Sequence, residues 1–263
     1  MEFRSGFGFR NLPGMLVRDG ASWLVRLLYP PVCAGCGLFV AGSGALCSHC
    51  WGSVRFIERP FCEVSGAPFD HDLGAGMVSP DVIANPPPYE KARAAVFYDG
   101  AARKLVHGLK YSDRADLARM MAGWMIRAGR EVLDDSDVIV CVPLHRRRLF
   151  SRRYNQAAEL ARAIARLTGK PFEAGGLRRV RATRQQVGLG LRARQDNVRG
   201  AFAVPAARQS GIAGRRVLLV DDVLTTGSTV EAATRALLRA GAQRVSVLTF
   251  ARVASPGGET LYA

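Results

Sequence analysis

The chain has 263 residues, 48% of them apolar and 22% charged, a globular mixture that excludes disorder as a description of the whole. Thirty-seven basic residues against 22 acidic ones give a formal charge of +15 and a pI near 10.4, which points to an anionic partner. The most apolar early stretch, 12–32, is broken by Arg18, Asp19 and Arg26, so it offers no run of about 18 uncharged apolar residues to cross a membrane. No basic start followed by an unbroken apolar core is visible either, and the expected location is cytoplasmic.

Taken in order, Leu16, Trp23, Leu24, Leu27 and Leu28 predict an amphipathic helix within 1–30, ended by Pro30 and Pro31. Packing on the module that follows is the expected role, with a membrane surface or a partner protein as the alternative. Five of the six cysteines then lie between residues 33 and 62. Cys33-x2-Cys36 and Cys47-x2-Cys50 form two knuckles whose four thiolates suit a closed, structural zinc site. Gly35 and Gly37 suit the tight turns, and His49 is a bystander because Cys50 has the standard spacing. A weaker echo follows at Cys62 to Gly66 and Ser79 to Val82. Ser65, Ser79 and Val82 stand where thiolates would be needed, so this copy is expected to hold no metal. The zinc-ribbon module is placed at 31–88, and a Pro-rich linker at 84–90 marks its end.

From residue 89 onward, short β-rich runs alternate with helical periods. Strands are predicted at Ala94–Tyr98, Val138–Val142, Arg216–Val220 and Val245–Phe250, and helices at Ala115–Arg130, Asn155–Thr168 and Ser228–Ala240. Continuous apolar strands between helices predict an α/β domain over 89–263, a parallel sheet covered on both faces. Ligands bind such sheets beyond the carboxyl ends of the strands.

The charge is segregated. Between Pro143 and Gly200 there are fifteen Lys or Arg against three acids (Glu159, Glu173 and Asp196), a net +12 in 58 residues. Arg146, Arg147, Arg148, Arg152 and Arg153 directly follow a predicted strand, where paired guanidinium donors suit phosphate oxygens. The segment 178–199 combines seven arginines with Gly188 and Gly190, the composition of an anion-binding lid and equally of a solvated loop. The surplus suits a polyanion such as single-stranded nucleic acid, although aromatic residues near it are sparse, Phe150 and Tyr154 being the nearest.

The sharpest motif runs from Val217 to Thr229. A buried strand delivers Asp221 and Asp222 to the sheet edge. A bend containing Thr225, Thr226 and Gly227 follows, and a helix then starts with Ser228 and Glu231 spaced as a capping box. Amides from Thr225 to Thr229 would converge at the positive helix end, a seat for a phosphate monoester, while the carboxylates accept hydrogen bonds from neighbouring sugar hydroxyls. A ribose 5-phosphate reader is the expectation. P-loop ATPases also carry an acidic strand end, but the Gly-x4-Gly-Lys-[Ser/Thr] cradle is missing. Receiver domains need roughly a hundred residues after their acidic pair, whereas 41 follow Asp222.

Residues 217–229 resemble the signature of type I phosphoribosyltransferases, and the chain from Leu24 to Arg252 resembles the ComF family of double zinc ribbon and phosphoribosyltransferase proteins. The resemblance rests on the Cys33/36/47/50 knuckles, Gly108-Leu109-Lys110-Tyr111, Val142-Pro143-Leu144, Arg153-Tyr154-Asn155-Gln156-Ala157, Thr183 with Gln186, and Arg194 to Phe202. It departs at Ser65, Ser79 and Val82, where the family has further cysteines. It implies a phosphoribosyltransferase fold that binds phosphoribosyl pyrophosphate with magnesium. Asp221 and Asp222 would contact the ribose, and Thr225, Thr226, Gly227, Ser228 and Thr229 the 5-phosphate. The loop bearing Arg146 and Arg153 would hold pyrophosphate, under a lid bearing Arg184 and Arg194. It further implies uptake of single-stranded DNA during natural transformation, a DNA-uptake helicase as partner and a peripheral position at the inner membrane. A metabolic phosphoribosyltransferase and a zinc-ribbon nucleic-acid binder with a vestigial pocket are the alternatives; the acidic pair argues against the second of these.

Overall fold

Val217, Leu218, Leu219 and Val220 are all buried. Successive strand residues point to opposite sides, so such a run requires a sheet covered on both faces. The structure is a computed structural model that describes residues 30–42, 44–72, 74–111, 115–144, 155–181 and 200–254. The helix expected in the first 30 residues lies outside the described residues but for Pro30, as do Arg146, Arg153, Arg184 and Arg194.

Two short helices, α1 (Ser48–Gly52) and α2 (Pro80–Ala84), belong to the cysteine-bearing module. Then come β1 (Ala92–Phe97), α3 (Gly100–Tyr111), α4 (Ala115–Ala128), α5 (Arg130–Asp134), β2 (Val138–Cys141) and α6 (Gln156–Thr168). A two-stranded hairpin, β3 (Arg178–Arg179) with β4 (Phe202–Ala203), precedes β5 (Arg216–Leu224), α7 (Ser228–Arg239) and β6 (Arg244–Arg252). Four strands form one parallel sheet in the order β1-β6-β5-β2. Leu218 and Val220 face a core with Met121 and Met125 of α4 and Leu160 and Ile164 of α6. Val217 and Leu219 face the other core, with Val230, Ala233 and Leu237 of α7 and Phe202 of β4. No helix among the described residues is long and apolar enough to cross a membrane.

The structure corrects three local expectations. The helix predicted as Ala115–Arg130 stops at Ala128 and restarts at Arg130, around Gly129. The strand predicted as Arg216–Val220 continues to Leu224, because β6 keeps pairing with it at Asp221–Thr249 and Val223–Ala251. Leu167, which helical spacing within the predicted Asn155–Thr168 helix aligns with Ala157, Leu160, Ala161 and Ile164 on an apolar side, is 44% exposed.

The N-terminal module is bonded along the free edge of β1. Phe97 N donates to the Arg55 carbonyl at 2.9 Å, Ile57 N to Ala95 at 3.0 Å, and Ala92 N to Val64 at 2.7 Å. An edge strand that would otherwise invite another chain is thereby covered. Arg93, 2% exposed, fixes this junction from within the strand. It donates to the Glu63 carbonyl at 2.9 Å and the Glu63 carboxylate at 3.0 Å, and pairs with Glu131 of α5. A buried charge is tolerated only when so surrounded. Arg93→Met leaves both carboxylates without their common partner, and is expected to cost about 3 kcal/mol in chemical denaturation; adding Glu63→Gln and Glu131→Gln recovers most of that loss.

Candidate functional site

Four sulfurs converge in the first lobe of the module. The Sγ atoms of Cys33, Cys36, Cys47 and Cys50 all lie within 4.8 Å of one another, and Cys36 and Cys47 are 3.6 Å apart. A tetrahedral zinc with Zn–S bonds of about 2.3 Å requires edges of about 3.8 Å. Amides of Gly35 and Cys47 donate to the Cys33 sulfur at 3.4 and 3.3 Å. Burial pushes the Cys33 thiol up, but these amides and that of Cys36 outweigh it and bring it down to about 6. Cys50 goes the other way, up to about 12, through burial and the crowding of the other sulfurs. Four thiolates at this spacing need a cation between them, and a Cβ at Gly35 would stand 2.8 Å from the Cys50 sulfur. The residues fit a closed structural zinc, and His49 is exposed beside them.

The second lobe repeats the first bond for bond. Cys33 N donates to Leu38 and Gly37 N to Cys33; Cys62 N donates to Ala67 and Gly66 N to Cys62. Cys47 N donates to the Cys33 sulfur, and Ser79 N to the Cys62 sulfur, both at 3.3 Å. Ser65 and Ser79 thus stand where the first lobe has thiols. Cys62 is fully buried; burial raises its thiol, but bonds from Ser65 and Ser79 outweigh this and bring it down to about 7. Among the described residues no second group of metal-ligating side chains forms. Arginines hold this lobe instead, Arg93 through Glu63 and Arg252 through the Ser65 carbonyl at 2.7 Å.

At the carboxyl end of β5, Asp221 and Asp222 are half-buried and not sunk into the cores. Asp222 N donates to Asp221 Oδ1 at 2.9 Å, and Val223 N to Asp222 Oδ1 at 2.8 Å. Burial, then the neighbouring Asp222 charge, hold the Asp221 carboxyl well above the ordinary carboxylate range. Beyond Leu224 the bend at Thr225 and Thr226 is exposed. Gly227, at φ 81°, is the N-cap of α7, a left-handed conformation that suits glycine. The capping box expected from Ser228 and Glu231 does not form. Gly227 has no side chain to cap with, and Ser228 lies inside the helix, buried, its hydroxyl 3.1 Å from that of Thr226. Among the described residues, the amides of Thr225, Thr226, Gly227 and Ser228 have no backbone acceptor, as expected where a helix begins. The chain therefore brings together a carboxylate pair and a bend rich in free donors, which is what a diol and a phosphate monoester require.

Two residues at this edge, Tyr98 and Arg179, had no motif to announce them. Tyr98, at the end of β1, has its phenol raised first by burial, against the pull of Arg103, with the Asp222 charge adding to the rise. Arg179 lies over the Phe202 ring at 5.3 Å, and its charge partly offsets the rise of Asp221. An aromatic ending a strand and a paired arginine opening a hairpin were the available signals.

The family pattern described as a double zinc ribbon domain matches residues 24–82, and that described as a phosphoribosyl transferase domain matches residues 155–261. The chain is 32% identical over 244 residues to the DNA utilization protein YhgH of Escherichia coli (strain K12), covering 90% of this chain and 99% of that protein. It is 28% identical over 221 residues to competence protein F of Haemophilus influenzae, covering 78% and 96%. A 48-residue stretch is 56% identical to the orotate phosphoribosyltransferase of a Nocardioides species, 18% of this chain and 26% of that one.

Metal analysis is expected to give one zinc per chain, lost in Cys33→Ser and released as pH falls through thiolate protonation; two per chain would mean that the second lobe also binds. A carboxyl raised in the folded state binds more protons there than when unfolded, so its contribution to stability falls as pH rises from about 3.9 towards its raised value. Asp221→Asn should therefore stabilise the ligand-free protein at neutral pH by about 1 kcal/mol, and thermal melts across pH should show the gain vanish below pH about 4.

Proposed function

The chain belongs to the ComF family, that of the DNA utilization protein YhgH, and from that membership we propose that it binds phosphoribosyl pyrophosphate with magnesium at the carboxyl edge of its sheet and acts on single-stranded DNA. The observation that carries the proposal is the juxtaposition, on one strand end, of Asp221 and Asp222 with the open donor bend that leads into α7. In this account the two carboxylates accept hydrogen bonds from the ribose hydroxyls. The amides and hydroxyls of Thr225 to Thr229 take the 5-phosphate, at the positive end of the helix. Arg146 and Arg153 are assigned to pyrophosphate, and Arg184 and Arg194 to the lid. Magnesium, when bound with the ligand, would supply charge neutralisation for its phosphates.

If the ligand reacts, the bond from the anomeric carbon to pyrophosphate breaks as a nucleophile bonds to that carbon. Positive charge develops on the sugar, and the acidic pair lies where it stabilises that charge. Burial and then the Asp222 charge hold the Asp221 carboxyl up, and hydrogen bonds from the diol together with the positive charge of a bound cation would offset both. A second reading, transfer to a nitrogen nucleophile, is favoured by the stretch similar to an orotate phosphoribosyltransferase. Pyrophosphate release in the presence of nucleobases, but not of DNA, would favour it.

Titration calorimetry with phosphoribosyl pyrophosphate and magnesium is expected to show saturable binding that Asp221→Ala with Asp222→Ala reduces at least a hundredfold, a loss of about 3 kcal/mol. Binding that survives the double substitution would remove the ribose assignment.

A further inference from the structure

The junction between the zinc lobe and the sheet carries an aromatic cluster that neither the zinc nor the sugar-phosphate edge uses. Trp51, Phe56 and Trp124 form a triangle with ring centroids 5.1 to 5.7 Å apart. Trp124 is in turn stacked on the core residue Phe250 at 5.9 Å, so the cluster is anchored. Yet Trp51 is 52% exposed. Beside it opens a cleft of about 300 Å³ whose lining includes Phe56, Phe61 and Trp124 with Arg59, Arg127 and Arg130, the cations outnumbering the acids Glu58 and Glu131. Arg127 lies over the Phe56 ring at 5.8 Å and pairs with Glu58, both side chains largely exposed. Exposed pairs of this kind contribute little and exchange readily for another anion.

The outer ridge of α4 completes the pattern. Arg119, Gly123 and Arg127 follow one another at four-residue spacing, all exposed, and Arg130 continues the line past the break. At 1.5 Å per residue the two outer arginines stand about 12 Å apart along the axis. Gly123, midway, is unexplained by the fold. A glycine inside a helix costs about 0.5–1 kcal/mol relative to alanine, and a Cβ there would meet nothing within 4 Å. No packing contact demands it, whereas close approach of a ligand to the helix backbone would.

We propose that this junction is a track for single-stranded nucleic acid, with bases stacked on the Trp51–Phe56–Trp124 cluster and the backbone running over Gly123 between Arg119, Arg127 and Arg130. Flat aromatic faces beside guanidinium groups serve every base and need no sequence. Phe150 and Tyr154 are the aromatics nearest the arginines at 146–153 in sequence; the cluster arises here because the module folds Trp51 and Phe56 against a helix about seventy residues away. The proposal deepens the DNA-handling half of the proposed function and makes no use of the sugar-phosphate edge.

The test is fluorescence anisotropy of a labelled oligodeoxythymidylate with the full chain, against salt, in wild type, Trp51→Ala, Gly123→Gln and Arg119→Ala with Arg130→Ala. Gly123→Gln is the decisive variant, because glutamine is the better helix former and the fold should be at least as stable. About tenfold weaker binding is expected for Trp51→Ala and for Gly123→Gln, with binding of phosphoribosyl pyrophosphate unchanged. The arginine pair should flatten the logarithmic salt dependence by about 1.4, roughly 0.7 per lost phosphate contact. Undiminished binding in Trp51→Ala and Gly123→Gln overturns the track while leaving DNA handling intact. A wild type that binds no oligonucleotide overturns DNA handling while leaving the sugar-phosphate site intact. Equal competition by oligouridylate fits the track, whereas equal competition by polyglutamate would replace nucleic acid with an acidic protein partner and overturn it.

Discussion

Two carboxylates on consecutive residues of a half-buried strand end cannot both stay charged cheaply. In this protein Asp221 and Asp222 sit in that position, and the fold is arranged around tolerating them. β6 keeps pairing with β5 beyond them, each carboxylate accepts from the amide of the residue that follows it, and the Arg179 charge in the β3–β4 hairpin compensates in part. A strand end evolved only to pack would place apolar or small residues here. In the proposed function, a ligand bringing a diol and a cation would offset the repulsion between the pair.

The N-terminal module shows how differently two copies of one fold can be held. The first lobe gathers four sulfurs and needs a metal to hold their charge. The second keeps the backbone bonds around a single buried thiol, and its anchoring comes from Arg93 and Arg252, which reach it from strands β1 and β6. Arg252 is also the register partner of Leu224, the last residue before the bend that leads into α7. The second lobe and the bend thus share a strand pair, which makes the module part of the wall of the α/β domain and not a tethered appendage.

Much of this was legible in the residues. Apolar runs at 138–142 and 216–220 forecast buried parallel strands, and the cysteine spacing forecast the four-sulfur cluster. What escaped was set by partners distant in sequence. α3 has no clean apolar period in the sequence, since Gly100, His107 and Gly108 interrupt it, although Ala101, Leu105 and Leu109 bury one face of it. The capping box failed because Gly227, free to adopt a positive φ, moved the helix start back by one residue. The Trp51–Phe56–Trp124 cluster joins segments that no local period connects, and Arg93, a cation inside a strand, reads locally as an edge residue until Glu63 and Glu131 are seen around it.

The most direct measurement of the central claim is a set of amide proton–nitrogen spectra recorded while ribose 5-phosphate is added to the full chain. The account predicts that the largest shifts fall on Thr225 to Thr229, that Asp221 and Asp222 follow, and that inorganic phosphate moves the first group without the second. Shifts confined to the arginine-rich segments, with the bend after β5 unmoved, would contradict it.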